Sequence, residues 1–524
     1  MTPLSTTPTS PQPGDSGALV PGLPDPELDP ARPAPVPPTV ANAPVEPTGT
    51  ATTVARNASV LAAAMVVSRV AAFALAVAMG RELGALQYGR YGFANALATI
   101  LVPIADIGLT TYLTREVARA RGSAEAALGT MLRTKVALAL AVAVLVGGGA
   151  VLLSHNATTI AIVLLVLVAA LADGLSLFVF GYFRGRERMG LEGKLTAGSS
   201  LARSLVGIGL VLATGELVPL LIWMLTVSGA QLGYGLVRLR RSTASAPAVE
   251  RRASSSIDWR TVATIGSFTI LTIIYTRADS VLVGWIEDER AVGLYTAAYT
   301  IMLGLQILPW MIGTALVPVF ARTHVTERDV FESAWHQGIR AVLVIAFPLS
   351  LLVSLLATPI MKQVFGPEFA RGGAALAIVI WAGPLAGFNT IIAGVLRGAR
   401  REAWLTSTAA LGVLLNVGLN LWAIPVYGIA GAAATTVGTE ILIALTLAAL
   451  AIRNRVVPVP RGPYLGLALA LAALAGVALG TRGLPLILTI PASLAVYAAV
   501  AILARVVGRS DLELAGRVVA SRKS

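Results

Sequence analysis

The chain has 524 residues, 56% of them hydrophobic and only 13% charged, with a mean hydropathy of +0.77 and a formal net charge of +13. An ordinary soluble domain carries about 25% charge, so a chain this apolar takes lipid as its solvent and pairs its backbone polar groups within helices. Cysteine is absent, which excludes disulfides and thiolate chemistry, and His155, His324 and His336 are scattered without metal-ligand spacing, so no metal or cofactor is expected.

Residues 1–52 differ from the rest. Fourteen of the 29 prolines lie before residue 48, among Ser, Thr and Ala. Such a stretch buries too little apolar surface to fold and lacks the basic start and short apolar run of a signal peptide. It is expected to be a disordered cytoplasmic tail. From residue 57 onward, apolar runs of about 20 residues predict an all-α polytopic membrane protein with fourteen helices. Their centres lie near Arg69, Ala98, Ala143, Val168, Val206, Val227, Ile273, Ile307, Ile345, Trp381, Val413, Glu440, Ala472 and Val496. The expected organisation is helices 1–6 over 53–241, a cytoplasmic linker over 242–260, and helices 7–12 over 261–455. Helices 13–14 and a basic tail fill 456–524. Pro103, Pro309, Pro348, Pro384 and the glycines at 147–149 mark hinges or locally satisfied kinks.

Basic residues set the orientation. With the tail inside, the inner connections and both termini carry 31 Lys and Arg, the outer connections six, and the helices three, namely Arg69, Arg203 and Arg277. Both termini are therefore expected in the cytoplasm. The positive charge reads as a topology signal, and no nucleic acid partner is expected.

The segments repeat. GRYGFA (89–94) reappears as GLYTAA (293–298), 204 residues later; GYFRGR (181–186) reappears as GVLRGA (394–399), 213 later; SRVA (68–71) reappears as TRAD (276–279), 208 later. An even number of helices per unit makes these parallel repeats about an axis along the membrane normal, with a path between two six-helix lobes and helices 13 and 14 as an appendage.

Within IYTRADSVLVG (274–284), Arg277 and Asp279 interrupt an apolar helix. A charge at membrane depth costs at least ~2.5 kcal/mol on insertion scales, so such groups face a watery cavity or pair with one another. Two residues apart on a helix, these two side chains point about 200° apart and serve separate purposes. Arg69, Arg203 and Arg277 are candidate anion-binding residues of a cationic cavity. The alternative is pairing with buried acids, for which Asp106, Asp173, Asp279 and Glu440 are available. Asp173, Asp279 and Glu440 are candidate carriers of a coupling proton or sodium ion.

ALQYGRYGFANALATILVPIADIGLTTYLTREVAR (85–119) resembles the first signature region of the polysaccharide transporter family, the flippases for lipid-linked oligosaccharides within the multidrug/oligosaccharidyl-lipid/polysaccharide exporter superfamily. ADSVLVGWIEDERAVGLYTAAYTI (278–301), FNTIIAGVLRGARREAW (388–404) and LNVGLNLWAIPVYGIAGAAATTVGTE (415–440) fit it too, so the resemblance spans about 55–455. It implies two six-helix lobes in an inverted V, alternating access, and a cationic lumen for a pyrophosphate-linked sugar, a lumen that Arg69 and Arg277 suit. The implied location is the bacterial cytoplasmic membrane. The implied partners are a lipid-linked oligosaccharide and membrane lipids, with a polysaccharide polymerase as a further candidate, and the chain is expected to act as a monomer.

Competing readings are a lipid II flippase, which also needs cations for pyrophosphate, and a cation-coupled multidrug exporter, which needs acids and aromatics in its cavity. An enzyme that polymerises or ligates lipid-linked sugars is a further alternative. The longest outer connection, PIMKQVFGPEFARGG (359–373), offers no paired carboxylates, and no phosphate-binding G-x-x-x-x-G-K-[ST] loop occurs. Transport without catalysis is the expectation.

Overall fold

A computed structural model describes residues 51–119, 121–153, 156–244 and 257–506. The expected tail up to residue 50, linker residues 245–256 and the basic end beyond 506 lie outside these. Contacts divide the chain into Met1–Ala58 and Ser59–Ser524. In the first unit the described residues, 51–58, are helical; the rest of this section concerns the second.

The described residues are almost wholly helical and contain no strand. In the first half run α1 (Ala51–Asp106), α2 (Leu109–Arg119), α3 (Arg121–Leu153), α4 (Ala157–Gly185), α5 (Met189–Thr214) and α6 (Leu217–Ala244). In the second half run α7 (Trp259–Ile286), α8 (Glu289–Thr326), α9 (Arg328–Leu355), α10 (Ala357–Phe365), α11 (Gly373–Val379), α12 (Ala382–Gly398) and α13 (Glu402–Arg453). The appendage is α14 (Tyr464–Gly480) and α15 (Leu486–Leu503).

Eleven helical stretches among the described residues are long and apolar enough to cross a membrane. Two of them are double. α1 breaks at Gly84 (φ 72°) and α13 at Gly428 (φ 58°), backbone values open to glycine because it has no Cβ. Dividing these two and adding the shorter α14 gives the fourteen crossings read from hydropathy.

The departures are local. The tenth crossing is composite: a 3-10 turn (Pro367–Gly372), then α11, then α12, with its expected centre Trp381 at the break. Pro384 sits in the first turn of α12, where a missing N–H costs nothing. Pro103, Pro309 and Pro348 lie inside α1, α8 and α9. The glycines at 147–149 lie within α3, with open space around Gly148 and Gly149. Between α1 and α3 the chain inserts the amphipathic α2, which buries Leu109, Tyr112, Leu113 and Val117. It starts after Ile107 (φ 48°) and Gly108 (φ 93°), a left-handed pair that reverses the backbone.

Packing follows the small residues. In the first half α4 lies against α2, α3 and α6; in the second, α12 lies against α8 and α13 against α7. α14 and α15 pair with each other and rest on α9. The α7 N-terminus is capped by Asp258, whose carboxylate accepts from Thr261 Oγ1 at 2.6 Å and from the Arg260 and Thr261 backbone N–H groups. Those Thr261 hydrogen bonds hold the carboxyl below the usual aspartate range. The halves touch at Gly89 of α1 against α8 and, just beyond the end of α1, at Gly108 against Gly266 of α7. From Gly89 to the end of α1 at Asp106 the helix rises about 26 Å.

Candidate functional site

A cavity of about 360 Å³ lies between the halves, walled by α1, α4, α5, α6, α7 and α8. Its wall alternates apolar side chains with Tyr88, Tyr91, Asn95, Thr296, Tyr299 and Thr300, and it holds three charged residues, Asp173, Arg203 and Arg277. Helical spacing accounts for this. Tyr88, Tyr91, Gly92, Asn95 and Ala96 recur every three or four residues on α1, as do Thr296, Tyr299, Thr300 and Leu303 on α8, so each helix turns one side to the cavity, and that side carries its tyrosines, hydroxyls and amide. Tyr88 and Thr300 hydroxyls, one from each half, lie 3.2 Å apart.

Arg203 and Asp173 form a two-pronged pair. Nη1 donates to Oδ2 at 2.9 Å and Nη2 to Oδ1 at 2.6 Å, while the buried Nε has no partner. Both side chains remain partly open to the cavity, 24% and 31% exposed. Arg277 differs. Its guanidinium stacks over the Tyr299 ring, 4.9 Å from the centroid, and among the described residues no carboxylate lies within ion-pair distance of it. Stacking on an aromatic face supports a guanidinium while leaving its N–H edge free for an anion.

Arg277 also lines a second cavity of about 180 Å³ inside the second half, with Tyr275, Gln306, Asn416, Thr436 and Glu440. Beneath it Asp279 is fully buried, accepting from Tyr295 Oη at 2.6 Å, Thr436 Oγ1 at 2.8 Å and the Ser280 backbone N–H at 2.7 Å. One helical turn beyond Thr436, Glu440 accepts from Asn389 Nδ2 at 2.5 Å. Asn389 Oδ1, Asn416 Nδ2, Asn420 Oδ1 and Thr439 Oγ1 are buried without a partner.

The structure therefore brings Arg203, Arg277 and Asp173 to one cavity, and Asp279 and Glu440 to the polar cluster beside it. Arg69 stands apart. It is exposed on α1, and the first-helix wall of the cavity is Ala72, Leu75, Ala76 and Met79. Lys135, counted with an inner connection in the sequence reading, is instead buried within α3 (3% exposed), paired to Asp106 and close to Thr110 Oγ1. Sequence reasoning missed the tyrosines and amides because neutral polar groups carry no insertion penalty comparable to a charge. Their i, i+4 spacing, Asn416 with Asn420 and Thr436 with Glu440, was the available signal.

Comparison with known proteins agrees with this architecture. The profile of the family "Polysaccharide biosynthesis protein" matches residues 54–324, and that of MatE matches 265–422. The probable low-salt glycan biosynthesis flippase Agl15 of Haloferax volcanii is 22% identical over 362 residues, 68% of this chain and 74% of the relative. The probable flippase AglR of the same organism is 24% identical over 263 residues, and the chain spans about half (54%) of its length. An uncharacterized membrane protein of Methanocaldococcus jannaschii, MJ1068, is 28% identical over 137 residues, 26% of its length. Among solved structures, the lipid II flippase MurJ in an inward closed conformation superposes with a TM-score of 0.64 at 15% identity, covering 85% of this chain and 99% of that one. An inward-facing multidrug resistance MATE transporter of the MOP superfamily superposes with a TM-score of 0.57 at 14% identity, covering 74% and 94%. With its polytopic helical fold and a profile match over more than half its length, the chain belongs to the polysaccharide biosynthesis protein family.

Proposed function

We propose that the chain is a flippase that moves a polyprenyl-pyrophosphate-linked oligosaccharide from the inner to the outer leaflet of the bacterial cytoplasmic membrane. The observation that carries this reading is Arg277, a guanidinium with no carboxylate within ion-pair distance among the described residues, in a cavity between two helical halves. Holding a charge there without a direct ion pair is costly unless an anion arrives during the working cycle. Guanidinium binds phosphate oxygens through a planar fork and offsets their lost hydration. The tyrosines and hydroxyls around it supply ring faces and hydrogen bonds for a sugar. At about 360 Å³ the cavity is small for such a headgroup, so substrate enters when the halves part, its polyprenyl tail remaining in lipid. Asp279 and Glu440, adjoining the cavity, carry the coupling ion.

The name of Agl15, a probable low-salt glycan biosynthesis flippase, favours a glycan lipid, and the fold likeness to MurJ keeps lipid II as the second reading. A cation exporter is disfavoured because the acid in the main cavity, Asp173, is already engaged by Arg203. Transport needs no catalytic residue, and no reaction is assigned. In this reading residues 1–52, 242–260 and both termini face the cytoplasm, and the chain works as a monomer among membrane lipids, with a polysaccharide polymerase or another assembly protein as a further candidate partner.

The test is reconstitution. Vesicles containing the chain and a fluorescent lipid-linked oligosaccharide are expected to expose that lipid to an impermeant sugar-cleaving enzyme faster than empty vesicles. Equal rates, with the protein folded, would reject the flippase reading. Lipid II supplied in parallel separates the two substrates. Cysteines placed singly in the cysteine-free chain at 181–194 and 359–373 are expected to label from opposite faces.

A further inference from the structure

Asp173 and Arg203 pair across consecutive antiparallel helices, α4 and α5, and both side chains open onto the main cavity. The carboxylate takes both terminal nitrogens of the guanidinium, the same two-oxygen grip that a phosphate group would use. Exposure of 24% and 31% keeps the pair in contact with the cavity's water, so partner exchange does not strand either ion in hydrocarbon. Arg277, lining the same cavity, has no carboxylate within ion-pair distance among the described residues. The cavity thus holds two guanidiniums, one free and one already occupied by an anion that belongs to the protein.

We propose that Asp173 is a built-in competitor for the substrate's phosphate. It rests on Arg203 when the cavity is empty. An entering anion is first met by Arg277 and displaces Asp173 to gain Arg203, and the carboxylate's return expels the anion when the cycle ends. Asp173 is then a residue that sets affinity and release, lowering affinity so that a doubly charged headgroup does not stay bound. The inference rests on the anion-cavity reading above.

The experiment uses the full chain in detergent micelles, with farnesyl pyrophosphate as the probe, binding followed by calorimetry, and melting temperature recorded for every variant. Removing the competing charge in Asp173→Asn is expected to tighten binding roughly tenfold, the scale on which a nearby charge pair alters affinity. Asp173→Glu, which keeps the charge, is expected to stay near the unaltered protein. In the background Arg203→Gln the gain from Asp173→Asn is expected to vanish, because it acts through that guanidinium. If Asp173→Asn does not fold, Asp173→Ser removes the same charge and carries the same expectation. A purely structural tie between α4 and α5 predicts a lower melting temperature and no gain in affinity. Equal or weaker binding in folded Asp173→Asn or Asp173→Ser therefore overturns the competitor proposal while leaving the anion cavity standing. Absence of binding to every form, the unaltered chain included, overturns the cavity reading and this proposal with it.

Discussion

Gly89 and Gly293 meet backbone to backbone: a Cβ on Gly89 would lie 1.7 Å from the Glu289 carbonyl oxygen, and one on Gly293 would lie 1.9 Å from that of Ala85. The two positions are equivalent in the repeat, 204 residues apart, and so are Gly92 and Thr296, which also face each other. Equivalent positions meet when they lie beside the axis relating parallel repeats. Backbone atoms cannot move aside as a flexible side chain does. Gly89→Ala and Gly293→Ala are therefore expected to wedge the halves apart at this level, costing about 1–3 kcal/mol as overpacking does. Spin labels at exposed Glu82 and Arg371, read by pulsed EPR, would show a longer distance. Gly148→Ala, with open space around it, is expected to leave that distance unchanged.

Near this contact the halves cap each other's helices. Arg81 Nε donates to the Val364 carbonyl at 2.7 Å and Nη2 to that of Gln363, at the end of α10. In return Glu368 Oε1 accepts from the Ala85 N–H at 2.8 Å, where α1 resumes after Gly84. A carboxylate at a helix start and a guanidinium at a helix end both complement the helix dipole. Glu368→Ala is expected to cost roughly 0.5–2 kcal/mol, the range for loss of a cap. Because the cap spans the halves, the same spin-label pair should gain a longer-distance population. A single unchanged distance in folded Glu368→Ala would show that the cap does not hold the halves together.

For Arg277, substitution by Ala is expected to abolish flipping in reconstituted vesicles while the melting temperature stays within a few degrees, since its direct partner is the Tyr299 ring and the nearby Asp279 keeps its hydrogen bonds from Tyr295, Thr436 and the Ser280 N–H. Arg277→Lys retains part of the activity, keeping charge but losing the fork. A fully active, stable Arg277→Ala protein would remove the basis of the cavity reading.

Asp279 leads to a different expectation. Its carboxylate satisfies two hydroxyls, and Asp279→Leu leaves Tyr295 Oη and Thr436 Oγ1 without it, at about 1–3 kcal/mol for an unsatisfied buried group. Asp279→Asn keeps the shape and one acceptor oxygen, so it is expected to fold, yet to lose the dependence of flipping on an imposed proton or sodium gradient. Retention of that dependence in Asp279→Asn assigns the coupling ion to Glu440.

How much was legible beforehand differs by residue. The crossings and the opposed faces of Arg277 and Asp279 follow from single-segment properties, apolar length and the 100° turn per helical residue, whereas the family was legible in the resemblance of whole stretches such as 85–119. That turn places residues two apart on nearly opposite faces, as found, with Arg277 in the cavity and Asp279 buried at Tyr295 and Thr436. Arg69, matched to Arg277 only through the short repeat SRVA and TRAD, proved exposed, because repeated sequence does not fix how far each helix is rotated within its half. Lys135 looked like loop charge because its partner Asp106 is 29 residues away.

By itself, then, the sequence determined that this chain lives in lipid as a paired set of helices and that a few ions must be accommodated at membrane depth. Both follow from transfer free energies, which are properties of single segments and add along the chain. Which ion meets which partner was decided by tertiary structure alone. Arg203 with Asp173, Glu440 with Asn389 and the reciprocal caps of Arg81 and Glu368 join groups on different helices. Such pairing depends on helix rotation and crossing, set by close contacts such as Gly89 on Gly293, where a fraction of an ångström separates packing from clash.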